Sequence, residues 1–98
     1  MIFVAICIDK PGSAELRLAH RAAHLEYVSA RAELVRMGGP LLDDDGGMNG
    51  SLLVIDTPDR AAAEAFLAGD PYAKAGLFER VELRAWKVLR GLPAAAPA

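Results

Sequence analysis

Apolar residues occupy both alternating faces of the first segment of the chain. From Ile2 to Ile8, the even positions carry Ile and Val, and the odd positions carry Phe, Ala and Cys. The β-branched residues favour a strand, and a strand that is apolar on both sides needs cover on both faces of its sheet. We therefore predict a buried first strand, in which Cys7 behaves as a small hydrophobe.

A helical pattern follows this strand. Lys10-Pro11-Gly12-Ser13 breaks the strand, and Ser13 is a suitable N-cap. The spacing predicts one long helix that ends near Met37, where Gly38-Gly39-Pro40 would stop it. Its apolar positions recur in steps of three and four, at Leu16, Ala19, Ala23, Tyr27, Ala30, Leu34 and Met37.

The second half of the chain combines strands with one more helix. Leu41-Leu42 and the run from Ser51 to Ile55 indicate two strands, which are joined by the acidic, glycine-rich segment Asp43 to Gly47. A second helix is predicted over Arg60 to Ala68, and a last strand over Phe78 to Leu89. The order βαββαβ predicts a ferredoxin-like α+β sandwich, in which a four-stranded antiparallel sheet carries two helices on one face.

Length and charge narrow the classes of function. The chain has 98 residues and a formal net charge of −2, so we expect one domain over residues 1–90 and a disordered tail over residues 91–98. The sequence has no basic run, which argues against a nucleic-acid partner. The first apolar run is too short to cross a membrane and lacks a basic leader, so we expect no membrane association and a cytoplasmic location.

The hydrophobic content of the chain suggests an interface. Hydrophobic residues make up 53% of the sequence, which is generous for a domain with so small an interior. In the predicted sandwich, the sheet face opposite the helices has no cover. We therefore expect a homodimer that forms through this open sheet face.

A histidine and an aspartate stand in two distinctive sequence frames. His24 lies in Arg21-Ala-Ala-His24-Leu25 on the first helix, and Asp70 lies in Gly69-Asp70-Pro71-Tyr72, just past the second helix. A carboxylate at hydrogen-bonding distance from one ring nitrogen would fix the tautomer and orientation of the imidazole and stabilise its charged form. The two frames predict a proton-transfer site if the fold brings them together.

Three further side chains are candidates for substrate contacts. Arg21 lies one helical turn before His24, where its fork of donors suits a carboxylate or enolate oxygen, and the alternative is a solvated arginine. Ser51 begins a strand after a glycine and could hydrogen-bond a ligand, Asp70 or the local backbone. Tyr72 could place its phenol over the pocket or pack as a buried aromatic residue.

Two patterns raise the question of a metal site. His20 and His24 are four residues apart on the helix, which lets two imidazoles bind one ion, but the sequence has neither a His-Glu-x-x-His frame nor paired cysteines. The side chains of Asp43-Asp44-Asp45 diverge, and the glycines after them favour a solvated turn. We therefore predict no metal ion, and leave open whether His20 joins the site.

From Met1 to about Arg90, the chain resembles the YCII-related proteins of the dimeric α+β barrel superfamily. One departure is Ala22, where relatives often carry proline. The resemblance implies a homodimer with two sheets packed face to face and a His–Asp active site, which falls here on His24 and Asp70. The matching features are the first strand, Arg21-Ala-Ala-His24-Leu25, Gly39-Pro40, Gly50-Ser51, and Asp70-Pro71-Tyr72 followed by Gly76 and Glu79.

The same resemblance points to lyase, isomerase or dehalogenation-like chemistry on small molecules. We expect an enzyme without a cofactor, in which His24 is the general base and acid and Asp70 orients its ring. The expected substrate is a small unsaturated or aromatic organic acid, with Phe3, Val28 and Trp86 as candidate apolar walls. The alternative is a non-enzymatic dimer that binds a small metabolite through the same histidine and aspartate.

Overall fold

The structure is a computed structural model, and it describes residues 1–91. These residues form four strands and three helices. The predicted βαββαβ order is confirmed, with one additional turn of helix before the last strand. The predicted tail, residues 91–98, lies outside the described residues except for Gly91. In chain order, the elements are β1 (Ile2–Asp9), α1 (Ala14–Ser29), β2 (Val35–Leu42), β3 (Met48–Asp56), α2 (Arg60–Ala68), α3 (Pro71–Lys74) and β4 (Phe78–Ala85).

The four strands form one antiparallel sheet in the order β2-β3-β1-β4. Strand β1 is central, and its Val4 pairs with Val54 of β3 on one side and with Arg84 of β4 on the other. This strand order and the two helices on one face confirm the predicted ferredoxin-like α+β fold.

The hydrophobic core lies between the sheet and the helices. Helix α2 contributes Ala63 and Phe66, and its start is fixed by Asp59, whose side chain accepts a hydrogen bond from the backbone N–H of Ala62. Burial of each large apolar side chain contributes roughly 1.5–3 kcal/mol to folding. The buried core residues are Phe3, Ala5, Cys7, Leu53, Ile55, Ala63, Phe66 and Leu83.

The first helix ends earlier than its periodicity predicted. Helix α1 stops at Ser29, and the chain from Val35 onward forms the edge strand β2. Gly38-Gly39-Pro40, expected to stop the helix, lies inside this strand, where an edge position tolerates a proline. Met37 continued the helical spacing, but pairing of β2 with β3 decides the structure of this segment.

The buried face of α1 also differs from the predicted apolar stripe. Ala19 and Ala23 are exposed, whereas Arg17 and His24 are buried. These two residues are seven positions apart, which is about two helical turns, so their side chains leave the helix on the same side. Helix α1 therefore turns two polar side chains toward the sheet and builds a polar site against the core.

The sheet face opposite the helices carries exposed apolar side chains. Met37, Leu52 and Trp86 are exposed there around a hollow of about 430 Å³. Strand β4 ends at Ala85 rather than at the predicted Leu89. Within residues 1–91, no helix has both the length and the apolar character needed to span a bilayer.

Candidate active site

The structure brings His24 and Asp70 together. Nδ1 of His24 lies 2.9 Å from each carboxylate oxygen of Asp70. His24 is 8% exposed and Asp70 is 1% exposed, so water competes little for this hydrogen bond. In the neutral imidazole, Nδ1–H donates to the carboxylate and Nε2 keeps its lone pair. The geometry required of a His–Asp pair is present, and its catalytic role stays a prediction.

Asp70 is held in place by the start of a helix. It is the N-cap of α3, and its Oδ1 accepts a hydrogen bond from the backbone N–H of Tyr72 at 2.9 Å. Pro71 occupies the first helical position, where a missing N–H leaves no hydrogen bond unmade. The Asp-Pro-Tyr sequence therefore builds a cap that aims the carboxylate at His24.

Tyr72 lies at the centre of the site. Its ring stacks on the imidazole of His24, with centroids 4.2 Å apart and 16° between the planes, and Cζ of Arg17 lies 4.5 Å from its centre. Burial raises the pKa of the Tyr72 hydroxyl, although the charges of Arg17 and Arg21 act in the opposite direction. Tyr72 is therefore a neutral phenol at physiological pH that packs against both His24 and Arg17.

A second polar group, which the sequence patterns did not reveal, lies beside this pair. Nε and Nη2 of Arg17 donate to the two carboxylate oxygens of Asp9 at 2.7 Å and 2.9 Å, and Nη2 also donates to Oγ of Ser51 at 2.9 Å. Burial by itself acts to lower the pKa of the Arg17 guanidinium, but the hydrogen bonds and charge of Asp9, together with a smaller contribution from Tyr72, outweigh burial and raise this pKa. Arg17 is 4% exposed and is therefore a permanent buried cation.

Two features of the sequence that the periodicity of apolar residues does not include would have identified this group. Asp9 continues the odd-numbered face of β1, which is buried, and a charge on a buried face needs a partner. Arg17 lies seven residues before His24 and therefore on the same face of α1. The periodicity of apolar residues does not show either feature, because both residues are charged.

These side chains border one cleft with a volume of about 110 Å³. Arg17, Arg21, His24, Ser51 and Tyr72 form its polar part. Its volume is comparable with the roughly 150 Å³ of an engineered protein cavity that binds benzene. The cleft therefore suits a molecule built on about one six-membered ring. The other residues that line it are Leu25, Val28, Val35, Gly38, Gly39, Pro40, Met48 and Leu53.

All three predicted substrate contacts line this cleft. Arg21 is exposed and stands at its rim. The hydroxyl of Ser51 accepts its hydrogen bond from Arg17 rather than contacting Asp70. Tyr72 is buried and presents its ring to His24. Arg21, Ser51 and Tyr72 are thus placed beside the His–Asp pair, and their roles toward a substrate stay predictions.

The expected apolar walls are placed differently. Val28 lines the cleft. Phe3 lies in the hydrophobic core instead, because odd positions of β1 face the helices. Trp86 borders the hollow on the opposite face of the sheet. The prediction that Phe3 and Trp86 form walls of the cleft is therefore wrong. The apolar part of the cleft comes from α1, β2 and β3.

The residues considered for metal binding do not gather at the cleft. His20 is not among the residues that line it. Asp43 accepts hydrogen bonds from the backbone N–H groups of Asp45 and Gly47, both at 2.9 Å, so the acidic loop is a hydrogen-bonded turn. Within residues 1–91, no three His, Cys, Asp or Glu side chains are grouped as a metal ion requires.

Proteins similar to this chain include a dehydrochlorinase of known structure. It is a 5-chloro-2-hydroxyhydroquinone dehydrochlorinase from Burkholderia phenoliruptrix AC1100, in complex with 2,5-dihydroxybenzoquinone. The two proteins are 35% identical, and the match covers 89% of this chain and 94% of the dehydrochlorinase with a TM-score of 0.83.

Two further relatives are similar in sequence over most of their length. Protein YciI from Escherichia coli O6:H1 is 34% identical over 99 residues, covering 89% of this chain and 97% of that protein. An uncharacterized protein from Haemophilus influenzae is 32% identical over 95 residues, with the same two coverages. The sequence profile of the YCII-related domain matches residues 1–87. This match confirms the resemblance, and the chain belongs to the YCII-related domain family.

Proposed function

We propose that this protein is a cofactor-independent enzyme that moves a proton on a small unsaturated or aromatic organic acid, with His24 as general base and acid. The observation that carries this proposal is the hydrogen bond at 2.9 Å between Nδ1 of His24 and the buried carboxylate of Asp70, beside a ring-sized cleft. A positioned general acid or base contributes roughly 100- to 10,000-fold to a reaction rate.

Each member of the pair has a distinct task in this reaction. Nε2 of His24 takes a proton from the substrate, and the electron pair that held this proton moves onto a substrate oxygen. Asp70 stabilises the resulting imidazolium through Nδ1–H. The electron pair then moves back from the oxygen into the substrate. There it either takes up the proton from His24 at another atom, or it displaces a leaving group, which departs with its own bonding electrons. The first outcome is isomerisation, and the second is elimination.

The lining of the cleft supports a planar substrate with oxygen substituents. Leu25, Val28 and Leu53 offer apolar contacts, while Arg21 and Ser51 offer hydrogen-bond donors. The dehydrochlorinase that is 35% identical acts on a chlorinated hydroxyhydroquinone and was solved with a dihydroxybenzoquinone. Both molecules are single rings with several oxygens, so a dehalogenation-like elimination belongs among the reactions that we propose.

Turnover with matched histidine variants tests the proposal. The protein is incubated anaerobically with 5-chloro-2-hydroxyhydroquinone and with a panel of small aromatic and unsaturated acids. Chloride release is followed with an ion-selective electrode, and deuterium uptake from heavy water is followed by mass spectrometry. We expect His24→Gln to lose at least about 100-fold in rate, while His20→Gln, altered on the same helix but outside the cleft, keeps the wild-type rate.

Two results would contradict the proposal. Equal rates in the wild type and in His24→Gln would remove the histidine from the chemistry. Tight binding of panel members without chloride release or deuterium uptake would favour the non-enzymatic alternative, a dimer that binds a small metabolite.

We also infer that the protein is a homodimer through the open sheet face. Met37, Leu52 and Trp86 expose apolar surface there, around the hollow of about 430 Å³. Burial of such surface against a second copy favours association. The cytoplasmic location expected from the sequence stays a prediction, which cell fractionation can test.

A further inference from the structure

The buried Arg17 has hydrogen-bonding capacity that the described protein does not use. Its Nε and Nη2 donate to Asp9 and Ser51, which leaves the two hydrogens of Nη1 outside these hydrogen bonds. The Tyr72 hydroxyl also interacts with the guanidinium and acts to raise the pKa of Arg17, but one hydroxyl oxygen does not occupy both hydrogens. Arg17 lines the cleft, so a ligand there can accept a hydrogen bond from it.

Ser51 supplies a second unused donor next to the first. Its Oγ accepts from Nη2 of Arg17 at 2.9 Å, which leaves its hydroxyl hydrogen free to donate, and no acceptor for it is found among residues 1–91. A hydroxyl that accepts a hydrogen bond from a cation becomes a stronger donor. The two donors border the same cleft and lie on neighbouring groups, an arrangement that suits a negatively charged oxygen.

We propose that Arg17 and Ser51 bind the substrate oxygen that carries negative charge, as an enolate or a phenolate. The inference rests on the proposed proton transfer and names the substrate class, a conjugated carbonyl or hydroxy compound whose monoanion is bound more tightly than its neutral form. Arg17 and His24 both contact the ring of Tyr72, so one small molecule can reach both. When His24 removes a proton from the neutral substrate, the electron pair of the broken bond passes through the conjugated system to this oxygen, which thereby becomes the enolate or phenolate oxygen that Arg17 and Ser51 hold.

Asp9 is a positioning residue in this arrangement. Its two oxygens bind Nε and Nη2 and so fix the plane of the guanidinium, with Nη1 outside this ion pair. The formal charges of Arg17, Arg21, Asp9 and Asp70 sum to zero, so the preference for a negatively charged oxygen comes from the donors of Arg17 and Ser51 and not from a net positive charge.

Binding of 4-nitrophenol tests the inference without any turnover. Its phenol and phenolate forms have different visible spectra, so titration across pH gives the affinity of the protein for each form. We expect the wild type to bind phenolate at least tenfold more tightly than phenol. Arg17→Met combined with Asp9→Asn should abolish this preference, because the double variant removes the donor without leaving a buried carboxylate unpaired. Ser51→Ala should reduce the preference severalfold.

The matched control is Arg31→Met, an equal change at an arginine that stacks on Tyr27 outside the cleft. It should keep the wild-type preference. An unchanged preference in the folded double variant would overturn the inference, and if that variant does not fold, an unchanged preference in Ser51→Ala would overturn it. His24→Gln separates the two proposals: loss of turnover with the phenolate preference retained supports both. An Arg17-dependent preference with no turnover on any substrate supports anion binding and contradicts the enzyme.

Discussion

Asp70→Asn should impair the site while leaving the fold in place. The substitution keeps the shape of the side chain and removes its charge. Asparagine is as good an N-cap as aspartate, so the hydrogen bond from the N–H of Tyr72 and the helix α3 should persist. The hydrogen bond to His24 changes, because Nδ1 now faces one neutral oxygen and one amide group in place of two carboxylate oxygens at 2.9 Å.

The size of the effect follows from the strength of this hydrogen bond. A hydrogen bond to a charged group contributes about 1.5–3 kcal/mol, and one between neutral groups about 0.5–1.5 kcal/mol. The imidazolium of His24 therefore loses roughly 1–2 kcal/mol of stabilisation, which corresponds to a proton transfer slower by about 5- to 30-fold. A larger loss, near 10,000-fold, is expected where the Asn amide donates to Nδ1 and reverses the tautomer.

Nitrogen-15 NMR measures the cause directly, alongside turnover. In protein labelled on histidine, the couplings between ring nitrogens and ring protons show which nitrogen carries hydrogen. The chain has 2 histidines, so His20 serves as an internal control. We expect the signals of His24 to change in Asp70→Asn and those of His20 to stay the same.

Stability measurements separate a local effect from unfolding. Asp70→Ala removes the cap, at a cost of about 1 kcal/mol, and leaves a buried donor unpaired, at about 1–3 kcal/mol. Its Tm should therefore lie well below that of Asp70→Asn. Wild-type turnover together with unchanged His24 ring nitrogens in a folded Asp70→Asn variant would refute this reasoning.

Three further predictions concern stability, the cleft and assembly. Burial raises the pKa of the Cys7 thiol from 9.0 to about 12. The thiol therefore contributes fully to the free energy of unfolding below pH 9, and this contribution should be lost as the pH rises toward 12. Urea unfolding at a series of pH values measures the loss. Gly38→Val should weaken 4-nitrophenol binding and cost about 1–3 kcal/mol of stability, because a Cβ there would lie 2.6 Å from Cδ2 of Leu53. Leu52→Glu should yield monomers in sedimentation velocity at low micromolar concentration, since it places a charge on the open sheet face.

Each of these predictions has a control or a contradicting result. The Cys7 prediction fails if a Cys7→Ala variant shows the same loss of stability above pH 9. For the cleft, Gly39→Ala adds a methyl group that would meet nothing within 4 Å in the subunit, and binding should be retained. For assembly, Leu18→Glu changes an exposed leucine on α1 and should keep the dimer. A wild type that sediments as a monomer would contradict the interface.

Patterns of local sequence predicted most of the fold. Alternation in β1 located the central strand, and the segments after Leu42 fell into the predicted strand, helix and strand. The end of α1 was not predictable in this way, because Leu34 and Met37 continue the helical spacing. That segment is a strand because β3 offers it an edge to pair with, and pairing between distant segments cannot be read from spacing alone.

The candidate site was predictable in part. His24 and Asp70 stood out because each lies in an unusual local frame, and the cap at Tyr72 explains why the second frame places a carboxylate at this point. The buried pair of Asp9 and Arg17 did not stand out, since charged residues are mostly solvated. Only the contact between β1 and α1 shows that each of these charges is the partner that keeps the other buried.

One carboxylate both starts the short helix α3 and anchors the imidazole. Any fluctuation that unravels this single turn therefore also releases His24, and the population of such open molecules can be counted by hydrogen exchange at the Tyr72 amide. Slower exchange of that amide in the presence of a compound would report occupancy of the cleft. Such protection offers a search for the natural ligand that needs no knowledge of the reaction.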